Sequence, residues 1–217
     1  MKHTEKELLA IKEDVSQMWK LVLSQLQKTK QAFLDNDVET AREIMSREKR
    51  VDAFELKIDC DCENYIALFS PVAIDLRLVL SLMKISSTLE RIADFCEGIA
   101  RHIIEDCIAA EIELVEKLQL EKMFDTLISM LSDSFVALEA ENTKMSGKIL
   151  SKDDEIDILY HNSVAILTDY LQEKPELIRN GLKMMLLIRK MERIGDHCSN
   201  IVEEIVFYVD AKVLKHS

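Results

Sequence analysis

Four pairs of acidic residues, two in each half of the chain, are spaced by four positions: Glu48 with Asp52, Glu90 with Asp94, Asp153 with Asp157, and Glu192 with Asp196. On an α-helix that spacing puts both carboxylates of a pair on one face, a turn apart. Other acidic pairs share it, among them Asp35 with Glu39, Glu55 with Asp59 and Glu121 with Asp125, and a solvated helix face accounts for them. What singles out the four is their recurrence at equivalent places in both halves, where antiparallel neighbours can bring one pair opposite the other. Two carboxylates ~6 Å apart repel by roughly 3 kcal/mol at an effective dielectric of about 20, so four together call for a compensating cation. Hard oxygen-ligand ions fit, namely iron, Mg²⁺, Mn²⁺ or Ca²⁺, and Zn²⁺ is a further candidate. Arg91 and Arg193, each beside a glutamate, offer the competing explanation of plain salt bridges.

A helical wheel places the site. Counting about 100° per residue from Glu192, Asp196 falls at about 40°, Ser199 at about −20° and Glu203 at about 20°. Leu187, Ile194, Cys198, Ile201 and Ile205 gather near the opposite side, at about −140°. Glu90, Asp94 and Glu97 share a stripe in the same way, with Ile85, Ile92, Cys96, Ile99 and Ile103 behind them. The carboxylates therefore point away from the core, and a metal would sit in a shallow, solvent-facing site, structural or regulatory in role. Asn200, a turn after Asp196, either orients a ligand or bonds across helices. His197 is expected to pack or hydrogen-bond, because its counterpart is Phe95. A ferritin-type di-iron bundle needs two Glu-x-x-His motifs, and the chain contains none. No Ser, Cys or Lys has an evident base and orienting group beside it, so nucleophilic catalysis finds no support.

These side chains must be carried by helices. Four Gly and two Pro among 217 residues exclude turn-rich sandwiches and barrels, and no glycine cluster is present to cradle a nucleotide phosphate. Apolar residues recur at helical spacing, as in Leu8, Ile11, Val15, Met18 and Val22. Breaks are read at Asp35-Asn36-Asp37, at Ser70-Pro71, near Asp106 to Ala110, at Ser146-Gly147 with a helix start at Ser151 and Asp154, and at Lys174-Pro175. Six helices follow, at about 5–34, 37–69, 71–105, 110–144, 152–173 and 175–211. They form two sets of three. Leu89-Glu90-Arg91-Ile92-Ala93-Asp94-Phe95-Cys96 matches Met191-Glu192-Arg193-Ile194-Gly195-Asp196-His197-Cys198 at an offset of 102 residues, and Glu48, Val51 and Asp52 match Asp153, Ile156 and Asp157. Duplication of a three-helix unit gives an all-α protein of two tandem three-helix bundles side by side, residues 1–107 and 108–217. Trp19 is expected to anchor neighbouring helices, and the run Met184 to Leu187 to fill the core.

A net charge of −12 opposes binding to nucleic acid. Met1 to Trp19 lacks an apolar core of signal-peptide length, and no stretch approaches the ~18 apolar residues of a membrane span, so a cytosolic protein is expected. Cys60, Cys62, Cys96, Cys107 and Cys198 sit in apolar patterns that suit reduced core thiols.

At three segments the sequence resembles the PhoU family of phosphate-uptake regulators: Ser70-Pro71-Val72-Ala73-Ile74-Asp75-Leu76-Arg77, Leu89 to Asp94, and Met191 to Glu203. The resemblance runs through nearly the whole chain, twice over. It implies paired three-helix bundles, metal clusters held on the bundle surface by acid-x-x-x-Asp pairs, and a homodimer. It also implies action at the cytoplasmic side of the phosphate-specific ABC transporter, through its ATPase subunit and the phosphate-sensing histidine kinase, restraining uptake and silencing the starvation response when phosphate is plentiful. Contact with the membrane would then be peripheral and through those partners. Ala93 stands where the family often has Gly, and Tyr208-Val209-Asp210-Ala211 lacks the glycine usual before a terminal basic-His pair.

Overall fold

Asp37 opens the second helix as its cap: its carboxylate accepts from the backbone N–H of Glu39 at 3.0 Å and of Thr40 at 3.1 Å, while Asn36 turns the chain in the left-handed region at φ 52°. The computed structural model describes residues 3–106 and 112–214. It contains α1 (His3–Asp35), α2 (Val38–Phe69), α3 (Ala73–Asp106), α4 (Ile112–Lys117), α5 (Leu120–Glu139), α6 (Ser146–Glu173) and α7 (Ile178–Asp210), with a 3-10 turn at Pro175–Leu177. No strand occurs among the described residues. At about 1.5 Å per residue the longest helices run roughly 50 Å.

The helices α1, α2 and α3 pack on one another, as do α5, α6 and α7. The two bundles meet along α3 and α7 and again along α1 and α5, which is the expected side-by-side arrangement. Trp19 anchors the second of these seams: fully buried on α1, it stacks against Phe135 at 5.5 Å and donates its indole N–H to the Leu131 carbonyl at 3.1 Å. Phe33 and Phe124 repeat the contact nearer the end of α1, at 5.8 Å. The wheel's apolar face is the core, since Ile85, Ile92, Cys96, Ile99, Leu187, Ile194, Cys198, Ile201 and Ile205 are all fully buried.

Several boundaries differ from the sequence reading. Ser70 closes α2 instead of capping α3, its φ at 45° and its N–H on the Ile66 carbonyl at 3.1 Å, and α3 starts only at Ala73. The helix expected over 110–144 is interrupted, because Gln119 turns left-handed at φ 52° between α4 and α5. The next helix begins at Ser146, so Gly147 and Ser151 lie within it, and the Ser151 hydroxyl bonds back to the Lys148 carbonyl at 2.9 Å instead of capping. Of the run expected to be core filler, Met184 and Leu187 are buried, Met185 is half-buried and Leu186 is exposed. Cys62, Cys96 and Cys198 are buried free thiols but Cys60 is exposed. Cys107 and most of the break expected at Asp106 to Ala110 lie outside the described residues.

Candidate functional site

Val51 on α2 and Ile156 on α6 are fully buried. A residue three before or one after a core position sits about 60° or 100° round the helix from it, which sets Glu48, Asp52, Asp153 and Asp157 at the edge of the core-facing side. There they look across to α3 and α7, against which α2 and α6 pack.

In the second half Asp157, Glu192 and Asp196 each offer one carboxylate oxygen, and the three atoms lie within 4.8 Å of one another. Burial pushes the Glu192 carboxyl above its ordinary range; the charges of Asp196 and Asp157 push the same way, against Arg193 and Arg189. Arg193 reaches Asp196 Oδ2 at 2.8 Å. Asp153 approaches more deeply: its Oδ2 accepts a hydrogen bond from the Ser199 hydroxyl at 2.6 Å. Gly195 permits this, for a Cβ there would stand 2.7 Å from Asp153 Oδ1 and 3.4 Å from Ile156 Cγ2.

The first half holds more acid and spreads it. Glu48 is raised first by burial, then by the charges of Glu97, Asp52 and Asp94, with Arg101 opposing. Glu90 is raised to about 7, mainly by burial and then by Asp94 and Glu55, with Arg91 opposing and Asp52 adding to the rise. The acids thus form one extended array, in which Asp52 and Asp94 each act on both Glu48 and Glu90, with Glu97 at the Glu48 side and Glu55 at the Glu90 side. Among the described residues no three of them converge as the second-half triple does. Arg101 holds Glu97 at 2.6 Å, while Arg91 stays 3.5 Å from Glu90 and 3.7 Å from Asp94.

The stripe expected to face solvent is exposed in part: Asp94 and Asp196 keep 38 % and 35 % of their side chains exposed, whereas Glu97 and Ser199 are buried, at 8 % and 1 %. Asn200 is exposed, and Glu203, a turn beyond Ser199, is half-buried and outside the convergent triple. His197 packs its ring against Phe95 at 5.6 Å, and burial pushes its pKa down. Two participants were not anticipated. Glu55 follows Asp52 by three positions on the same face of α2, a spacing masked by its pairing with Asp59. Ser199 lies on the carboxylate stripe, but a serine carries no ligand signal of its own.

Oxygens within 4.8 Å of each other suit one hard cation, whose bonds of about 2.0–2.6 Å allow two ligands to stand up to ~5 Å apart. Ligation by Asp196 would share that carboxylate with Arg193. Burial pushes the neighbouring Cys198 thiol up and holds it protonated, which disfavours that thiol as a nucleophile.

A model of the PhoU domain matches residues 15–103 and again 120–205, one match per bundle. The "Phosphate-specific transport system accessory protein PhoU homolog" of Aquifex aeolicus is 33 % identical over 97 % of this chain and 95 % of its own length. The Escherichia coli (strain K12) protein "Phosphate-specific transport system accessory protein PhoU" is 32 % identical over 97 % of this chain and 86 % of its own. Among solved structures, PhoU from Pseudomonas aeruginosa superposes with a TM-score of 0.90 at 26 % identity, covering 96 % of this chain and 99 % of that one. The phosphate transport system regulatory protein PhoU from Streptococcus pneumoniae gives a TM-score of 0.85 at 28 % identity, covering 99 % and 100 %.

Proposed function

Since this chain belongs to the PhoU family, we propose that it serves a phosphate-specific transport system as a cytoplasmic regulator, restraining uptake and silencing the starvation response when phosphate is plentiful. One observation carries the reading: the PhoU domain is matched in both bundles, and the relatives aligned over nearly the whole chain are phosphate-transport accessory proteins by name. No helix among the described residues is long and apolar enough to cross a membrane, which suits action through partners. Those partners are the ATPase subunit of the phosphate ABC transporter and the phosphate-sensing histidine kinase, met by a homodimer of this chain. Regulation by docking, without turnover, is the mode proposed.

The carboxylate clusters fit a metal in this scheme. Asp157, Glu192 and Asp196 would hold it in the second half, and Glu48, Asp52, Glu90, Asp94 and Glu97 are the donors available in the first. A bound cation would supply charge neutralisation, removing the repulsion that half-buried carboxylates otherwise carry. The protein's own contribution is the frame, with α6 held to α7 by the Ser199–Asp153 bond and the close approach at Gly195. Deleting the gene should leave starvation genes switched on in high phosphate; unchanged expression would overturn the regulatory reading. Purification from phosphate-replete cells should bring the transporter ATPase and the kinase with the protein.

A further inference from the structure

At one end of the α3–α7 seam a groove of about 600 Å³ opens, lined by Phe95 and His102 of α3 and by Leu186, Arg189, Lys190 and Arg193 of α7. Every ionisable side chain in that lining is basic, in a chain whose net charge is −12. Arg193 is ion-paired to Asp196 at 2.8 Å. Arg189 and Lys190, by contrast, have no carboxylate within 4 Å among the described residues, although Arg189 feels the charge of Glu192 a turn away. Lys190 is not simply splayed into solvent. It lies across Gly98, where an added Cβ would meet its Nζ at 2.7 Å, so a glycine on α3 gives this lysine its berth.

The internal duplication supplies a control. α3 and α7 cross antiparallel, with Ser81 bonded to the Glu204 carbonyl and Phe95 stacked on His197. Phe95 and His197 are each other's counterparts at the 102-residue offset, so a pseudo-twofold axis passes by that pair and relates the two ends of the seam. At the other end Leu186, Arg189 and Lys190 are replaced by Lys84, Ser87 and Thr88, and His102 by Glu204. That end carries an ion pair of its own: Lys84 Nζ bridges Glu204 Oε1 at 2.9 Å and lies over the Phe207 ring at 5.7 Å. An ion pair across one end, and at the other an arginine and a lysine with no carboxylate in salt-bridge range beside an aromatic ring, is a difference that duplication alone does not produce.

We propose that the open end is a ligand site for a nucleoside di- or triphosphate, with phosphoryl oxygens on Arg189 and Lys190 and the base against Phe95 and Leu186. The guanidinium fork suits phosphoryl oxygens, and an aromatic face beside an aliphatic side chain suits a planar base. The volume lies within the ~300–1,000 Å³ of small-molecule sites and is far larger than a lone phosphate fills. The inference is independent of the regulatory reading; the site abuts the first-half carboxylates, because Phe95, His102 and Lys190 also line the neighbouring groove that holds Glu48, Asp94 and Glu97.

Calorimetric titration of the full chain in EDTA, which keeps metal from bridging the ligand to the acidic clusters, tests it with ATP, ADP, adenosine and inorganic phosphate. Saturable binding of ATP or ADP is expected, weakening as salt rises, with adenosine silent and inorganic phosphate at least tenfold weaker. Arg189→Ala with Lys190→Ala should weaken nucleotide binding at least tenfold, Arg189→Glu alone should do the same, and Thr88→Ala at the other end should change nothing. Absence of saturable nucleotide binding up to millimolar concentration overturns the proposal. So does phosphate binding as tightly as ATP, or nucleotide affinity unmoved by either arginine variant in protein of unchanged helicity.

Discussion

In the second bundle a serine, Ser199, donates a hydrogen bond to Asp153; at the matching place in the first bundle stands a buried glutamate, Glu97, facing Glu48. Gly195 likewise answers Ala93, and Tyr160 answers Glu55. These few substitutions leave the helix frame alone and change the electrostatics. One bundle settles a deep aspartate with a neutral donor and gathers three other oxygens within 4.8 Å. The other carries a larger acid load in one extended array, with Arg101 on Glu97 and the Glu90 carboxyl raised to about 7 by burial and its acidic neighbours. A duplicated fold therefore preserves where carboxylates are carried, while side chains one turn away decide how many charges each groove must tolerate.

The contrast breaks most visibly in metal content. Protein carrying Glu192→Ala and Asp196→Ala should lose the ion of the second bundle and keep that of the first, as read by elemental analysis after purification without chelator. Equal and negligible metal in wild type and variant would remove the cation from the account. Next in size is Ser199→Ala, which strips a buried carboxylate of its donor and should cost about 1–3 kcal/mol in a denaturant titration. A loss below a few tenths would mean that Asp153 is stabilised by other groups.

Glu90 should give the first bundle a pH signature in metal-free protein. Its native carboxyl is raised to about 7, above the ~4.3 of an unfolded chain, so protonation favours the folded state. Stability from this group is present below that unfolded value and lost as pH rises through about 7. Glu90→Gln should flatten the dependence of thermal midpoint on pH between about 5 and 7.5 and raise the midpoint at pH 8, whereas an unchanged slope would assign the titration elsewhere. The smallest effects come from exchanging Gly195 and Ala93. Gly195→Ala gains about 1 kcal/mol of helix propensity but must move Asp153 Oδ1 from 2.7 Å, so its net change should stay within about 1 kcal/mol. Ala93→Gly removes a buried methyl with no such relief and should cost about 1 kcal/mol or more. Thermal melts of the two single variants measure the asymmetry directly.

Much of this was legible in the residues. The 102-residue offset, the apolar stripes behind the acid pairs and the Asp37 cap all act within one or two turns, where sequence spacing translates directly into geometry. The misread boundaries share another cause. Ser70 and Gln119 take left-handed conformations that neither residue type advertises, and the start of α6 at Ser146 carries no side-chain cap. The exposure of Leu186 follows from the wheel itself, which sets it at about 120° from Glu192, well away from the apolar side near −140°.

From its sequence alone the chain determined that it would be helical, that its core would run behind Ile92 and Ile194, and that four acid pairs would lie on recurring faces, because these follow from backbone periodicity and the burial of apolar area. Only the tertiary packing decided which oxygens converge, that Glu55 and Ser199 join the clusters, and that one end of the α3–α7 seam stays open while the other is bridged by Lys84 and Glu204. Ångström-scale proximity between side chains on different helices is set by crossing angle and interhelical distance, and those emerge only when all the apolar faces are packed at once.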